Sequence, residues 1–125
     1  MSSTAPRSLG TLVVLNYVMA GLSALGLLLL TFLLAVGIYS DIQEGADDTI
    51  YGVFGVMFMA LPFLAGFPLH LTAALGLQRR TPWGFGCHIA GTIVAAFTCI
   101  GVIYTIVGLI LALDSDFRAN YPEGR

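Results

Sequence analysis

Lysine is missing from this 125-residue chain, so its five basic residues are all arginine, a usage that points to a GC-rich, bacterial source. Charge of any kind is scarce. Only 10% of residues are Asp, Glu, Lys or Arg, against about 25% in an ordinary soluble domain. Three long stretches, roughly Leu9–Tyr39, Ile50–Leu77 and Pro82–Leu113, carry none at all apart from the arginines between them. With no carboxylate inside any stretch, a proton relay built on Asp or Glu is excluded there. No glycine-rich phosphate loop or paired-histidine metalloprotease motif occurs, and Ser23 and Ser40 lack a neighbouring base and acid. Enzymatic chemistry is therefore not expected, and neither is a nucleic-acid partner. The two cysteines, Cys87 and Cys99, fall twelve residues apart, about 18 Å along one helix, and cannot bridge each other.

What remains is apolar: 58% hydrophobic residues and a mean hydropathy of +0.92. Each uncharged stretch exceeds the ~20 residues a helix needs to cross a ~30 Å hydrocarbon core. None shows the alternation of barrel strands, so all three read as helices that satisfy their own backbone groups in lipid. The first is too long for the ~7–15-residue apolar core of a secretory signal and reads as a retained span. The expectation is one all-α integral membrane domain over residues 1–125. Three transmembrane helices, about 9–39, 50–77 and 82–113, form an up-down-up bundle with a polar tail over 114–125. Proline interrupts only the second helix, where Pro62 and Pro68 each remove a backbone donor and predict a kink or local unwinding.

Small residues recur every three to four positions along each helix. Gly66 and Gly76 belong to the second stripe, and Gly84, Gly91, Gly101 and Gly108 to the third. Helices in lipid associate through close packing, so these are the expected helix-packing positions.

Between the second and third stretches lies Gln78-Arg79-Arg80-Thr81-Pro82-Trp83. Thr81 suits an N-cap and Pro82 the first helical position, while Arg79, Arg80 and Trp83 are the expected interfacial anchors. With three spans, Arg7, Arg79 and Arg80 share one side without an acid. All seven acidic residues share the other with Arg118 and Arg125. The bias of basic residues toward the cytoplasm then predicts a bacterial inner-membrane protein with its amino terminus inside and its carboxyl terminus outside.

The Arg turn also measures depth. His70 lies nine residues before Arg79, His88 eight after Arg80, and Asn16 nine after Arg7. All three fall about 12–13 Å into the helices from that side. Buried ionisable groups in a membrane are candidates for function by default. One reading is a hydrogen-bonded layer that fixes helix register. Another is axial ligation of haem or a related tetrapyrrole by His70 and His88, which a short turn and glycine-lined faces make too narrow unless the pair spans an oligomer interface. A third is a metal, proton or polar-ligand site with Asn16 or Cys87, although two histidines are a weak metal signal. Tyr39, Tyr51 and Tyr104 are expected in the outer aromatic belt.

The segments Gly76-Leu77-Gln78-Arg79-Arg80-Thr81-Pro82-Trp83, Val102-Ile103-Tyr104 and Leu111-Ala112-Leu113-Asp114-Ser115-Asp116-Phe117-Arg118 resemble a broad group of small, uncharacterised bacterial polytopic membrane proteins. Those carry a glycine-leucine, arginine-rich, proline-tryptophan turn and a later isoleucine-tyrosine pair before a leucine-rich run. The proline-glycine-threonine break often found before that pair, and a second tryptophan, are absent here, so a break in the third helix is not carried over from the resemblance. It implies no catalytic residues. The functional expectation is a structural or accessory subunit packing against itself or a larger membrane complex. The alternative is a cofactor- or small-ligand-binding protein, a pore or carrier included, using the His70/His88/Asn16 layer.

Overall fold

A computed structural model of the chain describes residues 7–45 and 49–121. Five helices follow one another: α1 Arg7–Glu44, α2 Thr49–Gln78, α3 Pro82–Ala95, α4 Cys99–Ala112 and α5 Ser115–Asn120. No strand occurs among the described residues. At 1.5 Å per residue, α1 and α2 run about 57 and 45 Å, but α3 and α4 only about 21 Å each. Among the described residues two helices, α1 and α2, are long and apolar enough to cross a membrane.

α1 and α2 lie antiparallel. Gly26 faces the ring of Phe63, Ser23 faces Gly66, and the Tyr17 hydroxyl donates to Gln78 Oε1 at 3.3 Å. α1 ends at Gly45, whose φ of +66° is the left-handed conformation that closes many helices. Pro62 and Pro68 lie inside α2, which stays helical through both. The unwinding expected there is not found. Each proline deletes one hydrogen bond, and the rest of a thirty-residue ladder holds the helix.

The turn after α2 is a double cap. Thr81 N–H donates to Gly76 O at 2.9 Å and Arg80 N–H to Leu77 O at 3.0 Å, the paired bonds of a Schellman ending. Arg80 occupies the left-handed position, φ +53°, that glycine usually fills. Thr81 stands at the N-cap of α3 with Pro82 following, yet its hydroxyl makes no capping bond. It donates instead to Gly76 O at 3.1 Å. Gly76 and Gly84 meet backbone to backbone, leaving no space for a Cβ on either.

The third apolar stretch departs from the expected single span. It breaks at Ala96–Thr98 and folds back, so α3 and α4 form a hairpin. The pairing across it is antiparallel. Thr105 Oγ1 donates to Thr92 O at 3.0 Å, His88 Nε2 stands 3.5 Å from Gly108 O, and the Phe85 and Phe117 ring centroids are 5.9 Å apart. Local chemistry makes the break. Thr98 is extended, with φ −113° and ψ 144°. Its hydroxyl donates to Ala95 O at 2.8 Å and accepts from Gly101 N–H at 3.0 Å, sealing one helix end and capping the next. Gly101 is required there, because a Cβ would collide with the Ala95 carbonyl oxygen.

The three-span, up-down-up arrangement is thereby not confirmed, since the third stretch is two short antiparallel helices rather than one continuous helix. α5 returns to the end where α1 begins. Arg7 N–H donates to Asp116 Oδ2 at 3.2 Å, and the Tyr121 hydroxyl donates to Thr81 O at 2.6 Å. The polar tail contains α5, with Asp114 as its N-cap. Leu9, Leu12, Leu77, Phe117 and Tyr121 form the apolar core at this end. Among the described residues, Arg7, Arg79, Arg80 and Arg118 gather here, whereas the far end has only the acids Asp41 and Glu44. Asp47, Asp48 and residues 122–125 lie outside the described residues.

Candidate functional site

Asn16 stands where α1, α2, α3 and α4 all meet, and it is fully buried. His70 and His88 are buried beside it, at 1% and 0% exposure. Glycines on the hairpin make room for the rings. A Cβ on Gly91 would lie 2.9 Å from His70 Cε1, and one on Gly108 would lie 3.3 Å from His88 Cε1. Gly66, on α2, leaves comparable room beside Ser23 of α1.

A fourth member joins the layer from α4. The Tyr104 hydroxyl donates to Asn16 Oδ1 at 3.0 Å and lies 3.1 Å from His88 Nδ1 and 3.4 Å from His70 Nδ1. Its ring meets both imidazoles edge-on, with centroids 5.0 Å from His70 and 6.1 Å from His88. The outer aromatic belt is the place its sequence position predicts, but the break at Thr98 folds Tyr104 back into the core. Tyr39 and Tyr51 are exposed, at 67% and 75%.

One pattern of neutral tautomers satisfies the layer. Asn16 Nδ2 donates one hydrogen to Leu12 O at 2.8 Å and the other to His88 Nδ1 at 3.0 Å. His88 then carries its hydrogen on Nε2, facing Gly108 O at 3.5 Å. Asn16 Oδ1 accepts from Tyr104 and from His70 Nδ1–H at 3.2 Å. The hydrogen-bond pattern thus assigns both tautomers. Thr92 supports the layer from below, its hydroxyl donating to His88 O at 2.7 Å.

His70 Nε2 is the ring nitrogen left over. It has no hydrogen bond among the described residues, nor has the nearby Ser23 hydroxyl, and neither atom is sealed from the surface. Both residues line a cavity of about 960 Å³ between α1, α2 and the tip of the hairpin. Apart from Thr98 and Cys99 its walls are otherwise apolar, with Met19, Leu29, Phe58, Phe63, Phe97 and Ile100 among them.

The remaining candidates fall elsewhere. Arg79 and Arg80 sit at the α2–α3 turn, and Trp83 is half-exposed with its ring against Gly76. Cys87 and Cys99 are free, Cys99 exposed. No group of three or more His, Cys, Asp or Glu close enough to share a metal ion occurs among the described residues. Tyr104, Ser23 and Thr98 are the site residues that sequence reasoning misses. Thr98-x-x-Gly101, a cap-and-glycine pair within an apolar run, is the signal that leads to the hairpin and so to Tyr104.

The arrangement is that of a small all-α protein with two helices long enough to cross a membrane and an internally hydrogen-bonded polar layer. No family model matches the chain, and neither a curated protein nor a solved structure does.

Proposed function

We propose that the chain is a small multi-pass membrane protein acting as a structural or accessory subunit, joined to a partner helix or a second copy along the far halves of α1 and α2. The observation that carries this reading is the imbalance between the two halves of the molecule. The Arg-bearing half holds α3, α4, α5 and the polar layer. Beyond the hairpin tip only α1 and α2 continue. There Leu28, Phe32, Phe54 and Phe58 are between 64% and 76% exposed, and Gly37, Gly52 and Gly55 have nothing within 4 Å of a Cβ position. Small residues facing open space are what a close-packed neighbouring helix requires. The glycines expected from sequence to meet partners have other neighbours: Gly66, Gly76, Gly84, Gly91, Gly101 and Gly108 contact residues of this same chain.

Membrane insertion rests on the exposure of α1 and α2. Only 6% of the most apolar 18-residue part of each is buried, whereas the core helix of a soluble protein is mostly buried. α3 and α4, at about 21 Å, are too short for a ~30 Å core and form a re-entrant hairpin. The clustering of described arginines at one end favours a cytoplasmic location for that end, now with α5 beside the amino terminus.

The tetrapyrrole alternative finds little support in the layer. Both Nδ1 atoms converge on the Asn16 side chain, and His88 Nε2 faces Gly108 O, so the two rings meet across an amide and leave no space for a planar group between them. The decisive experiment is purification in mild detergent from native membranes, followed by mass determination. A co-purifying partner or a defined oligomer that dissociates in Gly52→Leu/Gly55→Leu supports the subunit reading. A monomer without partners refutes it. Cysteine labelling at Ser115→Cys from the periplasmic side would overturn the orientation.

A further inference from the structure

The cavity above the hairpin tip has one polar corner, and that corner is unsatisfied. The hydroxyls of Thr31, Thr72, Thr92 and Thr105 each return to a carbonyl of their own helix. Ser23, 5% exposed, does not. A Cβ placed on Gly66 would lie 3.2 Å from Ser23 Oγ and 3.7 Å from His70 Cδ2, so both groups border the same glycine-made gap. The Nδ1–Cε1 side of His70 is taken by Asn16 and Gly91, which leaves the Cδ2–Nε2 edge toward the cavity. Two polar atoms without partners, on buried residues at the end of an otherwise apolar space, are costly unless something fills it.

The tautomer pattern defines what fits. With its hydrogen on Nδ1, His70 presents Nε2 as an acceptor, and Ser23 can donate. One ligand hydroxyl satisfies both at once: its hydrogen goes to Nε2 and its oxygen accepts from Ser23. The volume of about 960 Å³ is at the upper end of small-molecule sites, and the apolar wall takes a chain. We propose that this cavity binds a lipophilic molecule with a hydroxyl-bearing head, the head held between Ser23 and His70 and the tail lying along α1 and α2. The inference rests on membrane placement but not on the subunit reading, since the cavity lies within one chain.

The test uses the full chain in lipid vesicles with a diazirine-bearing long-chain alcohol as probe and the matched alkane as control. The alcohol should crosslink at cavity residues such as Met19, Phe58 or Cys99. Ser23→Ala should cut that labelling about tenfold, the loss of one hydrogen bond to the ligand's head. Ala65→Phe, which fills the cavity from an exposed position away from the polar layer, should abolish it. The alkane should label outer positions of α1 and α2 equally in all variants, which reports membrane placement independently. Competition by a diacylglycerol assigns an aliphatic lipid, and competition by a long-chain quinol assigns an aromatic head. Equal labelling by alcohol and alkane, no effect of Ser23→Ala, or displacement by neither competitor would overturn the proposal.

Discussion

Asn16 and Tyr104 should be far more costly to lose together than apart. Replacing Asn16 with leucine keeps the volume but removes its bonds to His88, His70 and Tyr104. Tyr104 can then bridge the rings alone, donating to His88 Nδ1 across 3.1 Å while accepting from His70 Nδ1–H across 3.4 Å. Tyr104→Phe is cushioned in the converse way, because Asn16 still donates to His88 and accepts from His70. Each single change therefore leaves no ring nitrogen newly stranded and should cost about 0.6–1.7 kcal/mol, the range of interhelical hydrogen bonds in membranes. The double variant strands His70 Nδ1–H and His88 Nδ1 together in a site 0–1% exposed. At about 1–3 kcal/mol per unsatisfied group, that adds roughly 2–6 kcal/mol. Denaturation in mixed detergent micelles, run as a double-mutant cycle, reads the excess directly. Agreement with the sum of the singles to within about 0.5 kcal/mol would refute the shared-layer reasoning, because independent sites add to that tolerance.

Gly101→Ala should destabilise the hairpin by about 1–3 kcal/mol, the usual cost of overpacking, and should appear as increased proteolysis near Thr98. Tyr121 tests the return of α5: Tyr121→Phe removes its bond to Thr81 O and should cost about 1 kcal/mol. Burial pushes the Tyr121 hydroxyl up from its ordinary value, so the neutral form belongs to the folded state. Its contribution is complete below about pH 10 and is lost as pH rises beyond that, which alkaline tyrosinate absorbance should follow. His70→Ala and His88→Ala should lower thermal stability in a colourless preparation; a Soret band lost in both variants would restore the tetrapyrrole reading.

The polar layer is accessible to sequence reasoning for a definite reason. Counting residues from the Arg turn works because α1 and α3 start and α2 ends at that end, and each advances 1.5 Å per residue. Asn16, His70 and His88 all lie on the near side of Thr98, so the ruler reaches them. Tyr104 lies beyond it. Counted along an unbroken helix, Tyr104 belongs at the far interface; folded back, it bonds to the same amide oxygen as His70. One wrong continuation therefore displaces a side chain to the far end of the helices and puts α5 at the wrong end.

That continuation is hard to see because apolarity conceals a break. A run of about 30 uncharged residues satisfies the length test for a span whether it crosses once or turns back. Hydropathy does not distinguish a helix interior from a capped bend whose polar groups are all paired. At Ala96–Thr98 the three N–H groups donate to Thr92, Val94 and Ala95 O, Ala95 O also accepts from the Thr98 hydroxyl, and Gly101 N–H donates to Thr98 Oγ1. A bend within an apolar run needs protein partners of this kind for its polar groups, and here a threonine with a glycine three residues on supplies the cap. The same turn stops α3 and α4 short of the far ends of α1 and α2. The unfilled length above it is the cavity, bordered by Ser23 and His70. The polar layer and the open space are thus two consequences of one local event, and a variant that straightens the bend should lose both together.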